Sequence, residues 1–143
     1  MRYLFQIIRH KWFILIAGLR IGGVSLWQLA IHDWAKFLPA EFIAYQKKFI
    51  YHNCSEDEWN LAWLHHIHHS RHHWEHWILC DQALPMPERY WREMVVDWFA
   101  AGRSYTGSWE IREWLQREFP RMQLQEQTKA EILGLLWSLG IEL

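Results

Sequence analysis

The sequence predicts an all-α protein, a single-domain bundle of about six to seven helices spanning residues 1–143. Three observations carry this. Apolar side chains recur at helical spacing along most of the chain. Two Ser/Thr-x-x-Glu patterns, Ser55 with Glu58 and Thr128 with Glu131, read as capping boxes that open helices. No segment keeps the alternation of a half-buried strand, and no repeat or long linker divides the chain.

The first expected helix covers residues 2–21. At about 100° per residue, Arg2, Arg9 and Arg20 gather on one narrow side. His10 shares a stripe with Tyr3, Ile14, Ala17 and Ile21 and points inward. Gly22-Gly23 ends this helix. Ser25 caps a second one, from Leu26 to about Phe37, which stops before Pro39. A third covers Glu41–Phe49, with Pro39 near its start. After a loop at 53–55, the Ser55 box opens a fourth helix through the histidine-rich run, with Ser70 as the place where it would restart. Leu84-Pro85-Met86-Pro87 is a rigid connection. The next helix runs from Glu88 to Ala101 and ends at Gly102, and a polar loop fills 103–108. Ser108 caps a helix to about Phe119, before Pro120, and the Thr128 box opens the last one, to about Leu139.

Composition excludes several classes. Hydrophobic residues make up 51%, enough for a core. The formal net charge of -1 argues against a basic nucleic-acid footprint and so against a long nucleic acid as partner. Twelve tryptophans predict a core walled by aromatic rings. Cys54 and Cys80 read as free thiols of a reducing compartment. The apolar run Trp12–Leu19 is far shorter than the roughly 20 residues a membrane span needs. No small-residue cleavage site follows it. The expectation is a buried helix in a cytoplasmic protein with no membrane partner. The oligomeric state stays open, a homo-oligomer included.

Several residues suit metal-phosphate chemistry. His32-Asp33 is an adjacent imidazole–carboxylate pair, and Lys36, three residues on, can hold a phosphate oxygen. The bland alternative is an Asp33–Lys36 surface ion pair, which stabilises little. His10, on an inward stripe, needs a hydrogen-bond partner or a metal if buried. In the run from His65 to His76, His66 and His73 lie at the edge of the apolar arc of a continuous helix. A restart at Ser70 would bring either His72 or His73 to the site. Most of these histidines read as a solvated face. Glu93 and Asp97 stand at i, i+4 beside the buried face of Trp91, Met94, Val95 and Trp98. Glu93 suits a group that orients a ligand histidine or a general base, and Glu75 competes for the base role. Imidazole and carboxylate donors together suit one or two divalent transition metals: Mn, Fe, Co, Ni or Zn.

The order His10, His32-Asp33, histidine run, Asp97 resembles the ligand order of the HD metal-dependent phosphohydrolase superfamily. That likeness implies an HD-like helical fold, Asp97 as the last ligand and hydrolysis of phosphoesters. A closer resemblance covers nearly the whole chain. Its pattern is Arg9-His10-Lys11, His32-Asp33-x-x-Lys36-Phe37, Glu41-Phe42-x-x-Tyr45, Ala62-Trp63-x-x-His66, His72-His73-Trp74-Glu75-x-Trp77, Met86-Pro87 and Glu93-Met94-x-x-Asp97-Trp98. It is similar to a family of small proteins of bacteria and their phages with no established activity. The chain departs from it at Ala35, where Ser is expected, and at Ser70, where Asn is expected.

The expected function is divalent-metal-dependent hydrolysis of a nucleotide or other small phosphorylated molecule. His10, His32, Asp33 and Asp97 would hold a first metal. His66 with His72 or His73 would complete it or hold a second, and Lys36 would steady developing charge. Two rivals use the same residues: a non-catalytic metal- or ligand-binding module, and a helical protein-interaction module.

Overall fold

The computed structural model, which describes residues 2–143, opens on α1 (Arg2–Ile21). Tyr3, Ile7, Ile14 and Ala17 face inward, as the stripe requires. Gly22 and Gly23 both take φ +75° and turn the chain away. Ser25 then caps α2 (Leu26–Ile31) by accepting from the Gln28 amide at 3.1 Å. Leu29 packs where a side chain on Gly18 would stand, so the two helices meet closely.

α2 ends at Ile31, not near Phe37. His32 (φ -48°, ψ 130°) leaves the helix and Asp33 sits in the left-handed region at φ 54°, before a 3₁₀ turn at Trp34–Phe37. A continuous helix would point His32 and Asp33 about 100° apart. The break removes that divergence. Lys11 Nζ donates to the carbonyls of Ala30 and His32 at 2.9 and 2.7 Å, which satisfies groups the helix end frees.

Pro39 starts α3 (Pro39–Gln46), which continues as a π turn to Tyr51. Both halves of the Ser55–Glu58 box are present at the start of α4 (Glu56–His69). α4 stops at Ser70, so the histidine run is not one continuous helix. His73 begins a 3₁₀ turn, Trp74–Trp77. A small hairpin follows, β1 (Ile78–Leu79) with β2 (Gln82–Ala83). Cys80 and Asp81 take positive φ at its turn, as tight hairpins require. Two residues per strand leave no alternation to read in sequence.

α5 (Glu88–Thr106) runs through Gly102 and absorbs most of the expected polar loop, ending at Gly107 with φ +77°. α6 (Arg112–Glu118) starts after Ile111 and not at Ser108. The last helix, α7 (Glu126–Ser138), is capped by the Gln125 side chain, which accepts from the Thr128 amide. Thr128 is therefore inside the helix. Its buried hydroxyl accepts from the Met86 amide at 3.1 Å and pins the Pro-rich connection.

α5 to α7 enclose the largest apolar cluster, around Trp91, Val95, Leu115, Ile132 and Leu136. A second joins Ile14, Ala17 and Leu29 to Val96 and Ala100. A third joins Tyr3 and Ile7 to Ala44, Tyr45 and Ala62. α1 thus belongs to two clusters, and the polar centre lies where they meet. The outer face of α1 is not buried: Phe5, Ile8, Trp12 and Leu19 are exposed. Nor do all tryptophans wall the core, since Trp27 and Trp137 stand in solvent. Among the described residues, no helix is long and apolar enough to cross a membrane. Cys54 and Cys80 are both free.

Candidate metal centre

Asp33 is the hub. Its left-handed backbone, which Asp tolerates better than most residues, turns a carboxylate that is 1% exposed toward donors from α1, α4 and the turns that follow α2 and α4. Oδ2 lies 2.5 Å from Lys36 Nζ, 3.4 Å from His32 Nε2 and 3.9 Å from His10 Nε2. Oδ1 lies 3.6 Å from His66 Nε2 and 3.5 Å from His72 Nε2. Asp97, from the middle of α5, faces the same space. Its Oδ1 is 3.0 Å from His10 Nε2 and 3.6 Å from His32 Nε2, and its Oδ2 is 3.7 Å from His72 Nε2. His66 and His73 meet through their Nε2 atoms at 3.0 Å.

All seven metal-ligand candidates are therefore brought together. The break at Ser70 is what delivers both His72 and His73, and it makes a choice between them unnecessary. Donor atoms fall into overlapping groups able to hold an ion: Asp33, His66, His72 and His73; His10, His32 and Asp33; His32, His72 and Asp97. Spacings of 3–4 Å suit ligands around one ion with bonds of about 2.1 Å. Two other histidines of the run are engaged with backbone carbonyls instead. His76 pairs through Nδ1 with the Ile67 carbonyl, and His69 with that of His65.

A second layer fixes the rings. Glu93 Oε1 takes His32 Nδ1 at 2.8 Å and lies 3.4 Å from His72 Nδ1. Gln28 Nε2 donates to Glu93 Oε2 at 2.5 Å. On the other flank Glu41, fully buried, takes His66 Nδ1 at 2.8 Å and His65 Nδ1 at 2.7 Å. A proton held on Nδ1 leaves Nε2 as the lone-pair donor. Sequence reasoning missed Glu41. In the first turn of α3 it looks like an acid that complements a helix N-terminus, and only the fold brings His65 and His66 over it. Lys11 was missed for the same reason. Glu75 sits apart from the ring of ligands, with Oε2 buried and unpartnered.

Electrostatics favour positive charge here. Burial would raise the Asp33 pKa, but His32, Lys36 and His66 outweigh it and hold the carboxyl well below its usual range. Asp97 behaves alike, with burial overcome by His10 and His32. Burial opposes ionised Glu93 too, yet bonds from His32 and His72 pull it down to about 2. His73 is pushed well down, by burial and by His72 and His66 beside it. Burial would lower the His32 pKa, but Asp33, Asp97 and Glu93 outweigh it and hold the ring well above the usual imidazole range, so a metal ion bound there would displace its proton. Among the described residues, four of the cluster's donor atoms make no hydrogen bond of good geometry: His10 Nε2, His32 Nε2, His72 Nε2 and Asp33 Oδ1. Buried polar atoms are rarely orphaned without an ion or water to meet them. The residues fit a metal ion.

Fold and site together define an all-α, histidine-rich protein whose buried His/Asp cluster is able to hold a metal ion. The chain belongs to the Family of unknown function (DUF5662), whose sequence profile matches residues 1–136. No curated protein and no solved structure gives a significant match.

Proposed function

We propose that the protein is a divalent-metal-dependent phosphoester hydrolase of the HD type, acting on a small phosphorylated molecule in the cytoplasm. The observation that carries this reading is the convergence of four orphaned donor atoms, from His10, His32, His72 and Asp33, on one buried space. His10, His32, Asp33 and Asp97 would hold one ion, and Asp33, His66, His72 and His73 a second. Mn, Fe, Co, Ni or Zn suits these donors. A bound divalent ion supplies Lewis acidity toward phosphoryl oxygens and lowers the pKa of water toward neutrality. Lys36, held at Asp33 and lining an adjacent cleft, is placed to steady negative charge on those oxygens. Glu93 and Glu41 are positioning residues that keep Nε2 of their histidines turned inward. A near-neutral chain offers no track for a long polyanion, which favours a small substrate. Two free cysteines suit a reducing compartment.

The test is elemental analysis of untagged protein beside Asp33→Ala, with turnover of p-nitrophenyl phosphate and of bis-p-nitrophenyl phosphate. About one or two transition ions per chain, lost in the variant together with turnover, is the expected result. Full activity of Asp33→Ala would sink the mechanism. Stoichiometric metal with no turnover on any phosphoester would leave a metal-binding module.

A further inference from the structure

Two cavities of opposite character border the cluster and share Tyr105 as a wall. On one side, a cleft of about 70 Å³ is lined by Arg9, Lys36, Tyr3, Tyr45 and Ser104, with His10 in its wall. Among the described residues no acid lines it, and the buried hydroxyls of Tyr3 and Tyr45 have no hydrogen-bond partner. Cations and free hydroxyls suit phosphoryl oxygens. On the other side, a cavity of about 390 Å³ is walled by Trp63, Trp74, Trp98 and Trp114. His73 and Asp97 form part of its lining, so whatever sits there adjoins the cluster.

Among the described residues no Lys or Arg lines this larger cavity, and the charged groups there are acids. Asp97 faces the cluster as a candidate metal ligand. Glu110 already accepts from the Arg112 amide at 2.8 Å. Glu75 differs: its Oε2 is closed off from solvent and accepts nothing. A buried acceptor without a donor is costly unless something in the cavity supplies one. Anionic phosphate is therefore disfavoured on this side, and an N–H donor is favoured.

We propose that the larger cavity receives a planar heteroaromatic ring bearing an exocyclic amine, as in adenine, guanine or cytosine, with the amine donating to Glu75. The assignment deepens the phosphoester reading and rests on it for the phosphate, which would lie toward Lys36 and the two tyrosines. Four indole walls offer stacking faces to a flat ring of any base. The volume is that of a pocket for a ligand of nucleoside size or larger. A lone quaternary ammonium, which aromatic cages also favour, would leave most of it empty.

Quenching of the cavity tryptophans gives a direct readout. Unphosphorylated adenosine, guanosine and cytidine are titrated into the intact protein, each beside the counterpart in which hydrogen replaces the amine. Saturable binding of at least one is expected, with a preference of about tenfold for the amine. That preference disappears in Glu75→Met, which keeps side-chain length and removes the carboxylate. Ala101→Leu, which fills the cavity from α5, abolishes binding of every nucleoside. Absence of binding, equal affinity for the amine-free counterparts, or a preference unchanged by Glu75→Met overturns the assignment. Should Glu75→Met fail to fold, the counterparts and Ala101→Leu decide the matter alone. Loss of nucleoside binding with p-nitrophenyl phosphate turnover intact would remove the ring pocket and leave the hydrolase. Nucleoside binding without turnover of any phosphoester would do the reverse.

Discussion

Glu41→Gln probes the cluster without removing any donor that faces it. Glu41 is 0% exposed, and its two oxygens take the Nδ1 atoms of His65 and His66 at 2.7 and 2.8 Å. Glutamine preserves shape but turns one acceptor into an NH₂ donor. One imidazole then faces a donor with its own Nδ1–H. If that ring is His66, relief requires the other tautomer, which puts the proton on Nε2 and blocks the nitrogen aimed at Asp33 and His73. Loss of such a supporting carboxylate costs about 10–100-fold in metal affinity, and each tenfold is about 1.4 kcal/mol. The assay is competition between protein and a chromogenic chelator for Zn or Mn, with far-UV circular dichroism as a check on folding. Affinity within about twofold of wild type, in folded Glu41→Gln and in folded Glu41→Leu, which accepts from neither ring, would refute the positioning role and with it the Nε2 geometry.

Two more outcomes follow from the same structure. Apparent metal affinity falls steadily as pH drops, because protons and metal compete for the same nitrogens and the carboxylates around His32 outweigh its burial and hold its pKa well above the usual imidazole range; a flat affinity profile between about pH 5.5 and pH 8 would exclude ligation by His32. Ser55→Ala removes a capping bond to the Glu58 amide at 3.2 Å and lowers stability by about 0.5–2 kcal/mol, read by thermal or urea unfolding. It leaves metal affinity unchanged, since His66 is about 16 Å further along α4.

Local chemistry was legible in the sequence and tertiary convergence was not. The inward stripe of α1, the Ser25 cap and the Ser55–Glu58 box depend on side chains within four residues or on a single helical period, and all are present. The end of α2 was not legible. Ile31-His32-Asp33-Trp34 has no Gly or Pro to announce a break, and the left-handed Asp33 is supported by Lys11 from another helix. Gly102 looked like a stop, but α5 carries it because the turn is made five residues later at Gly107. Thr128 matched a capping pattern, yet Gln125 took the cap and left its hydroxyl to hold Met86. The candidate ligands were nameable because His and Asp declare their chemistry. Glu41 was not, because a carboxylate near a helix start has an ordinary reason to be there.

The donor geometry also makes the number of ions a matter of prediction. Asp33 offers one oxygen to each flank: Oδ2 toward His10 and His32, Oδ1 toward His66 and His72. His73 reaches only the second flank, through His66, and His10 only the first, where it also meets Asp97. Two ions sharing one carboxylate fit this division, as in two-metal hydrolytic sites. His73→Ala should then reduce the stoichiometry from about two to about one and leave a retained ion of near wild-type affinity. His10→Ala should do the same to the other ion. Asp33→Ala, which takes an oxygen from both flanks, should lose the pair. A single-ion centre predicts otherwise: wild type binds one, and His73→Ala and His10→Ala weaken that same ion together. Isothermal titration of the three variants separates these cases, because one arrangement changes the number of sites and the other only their strength.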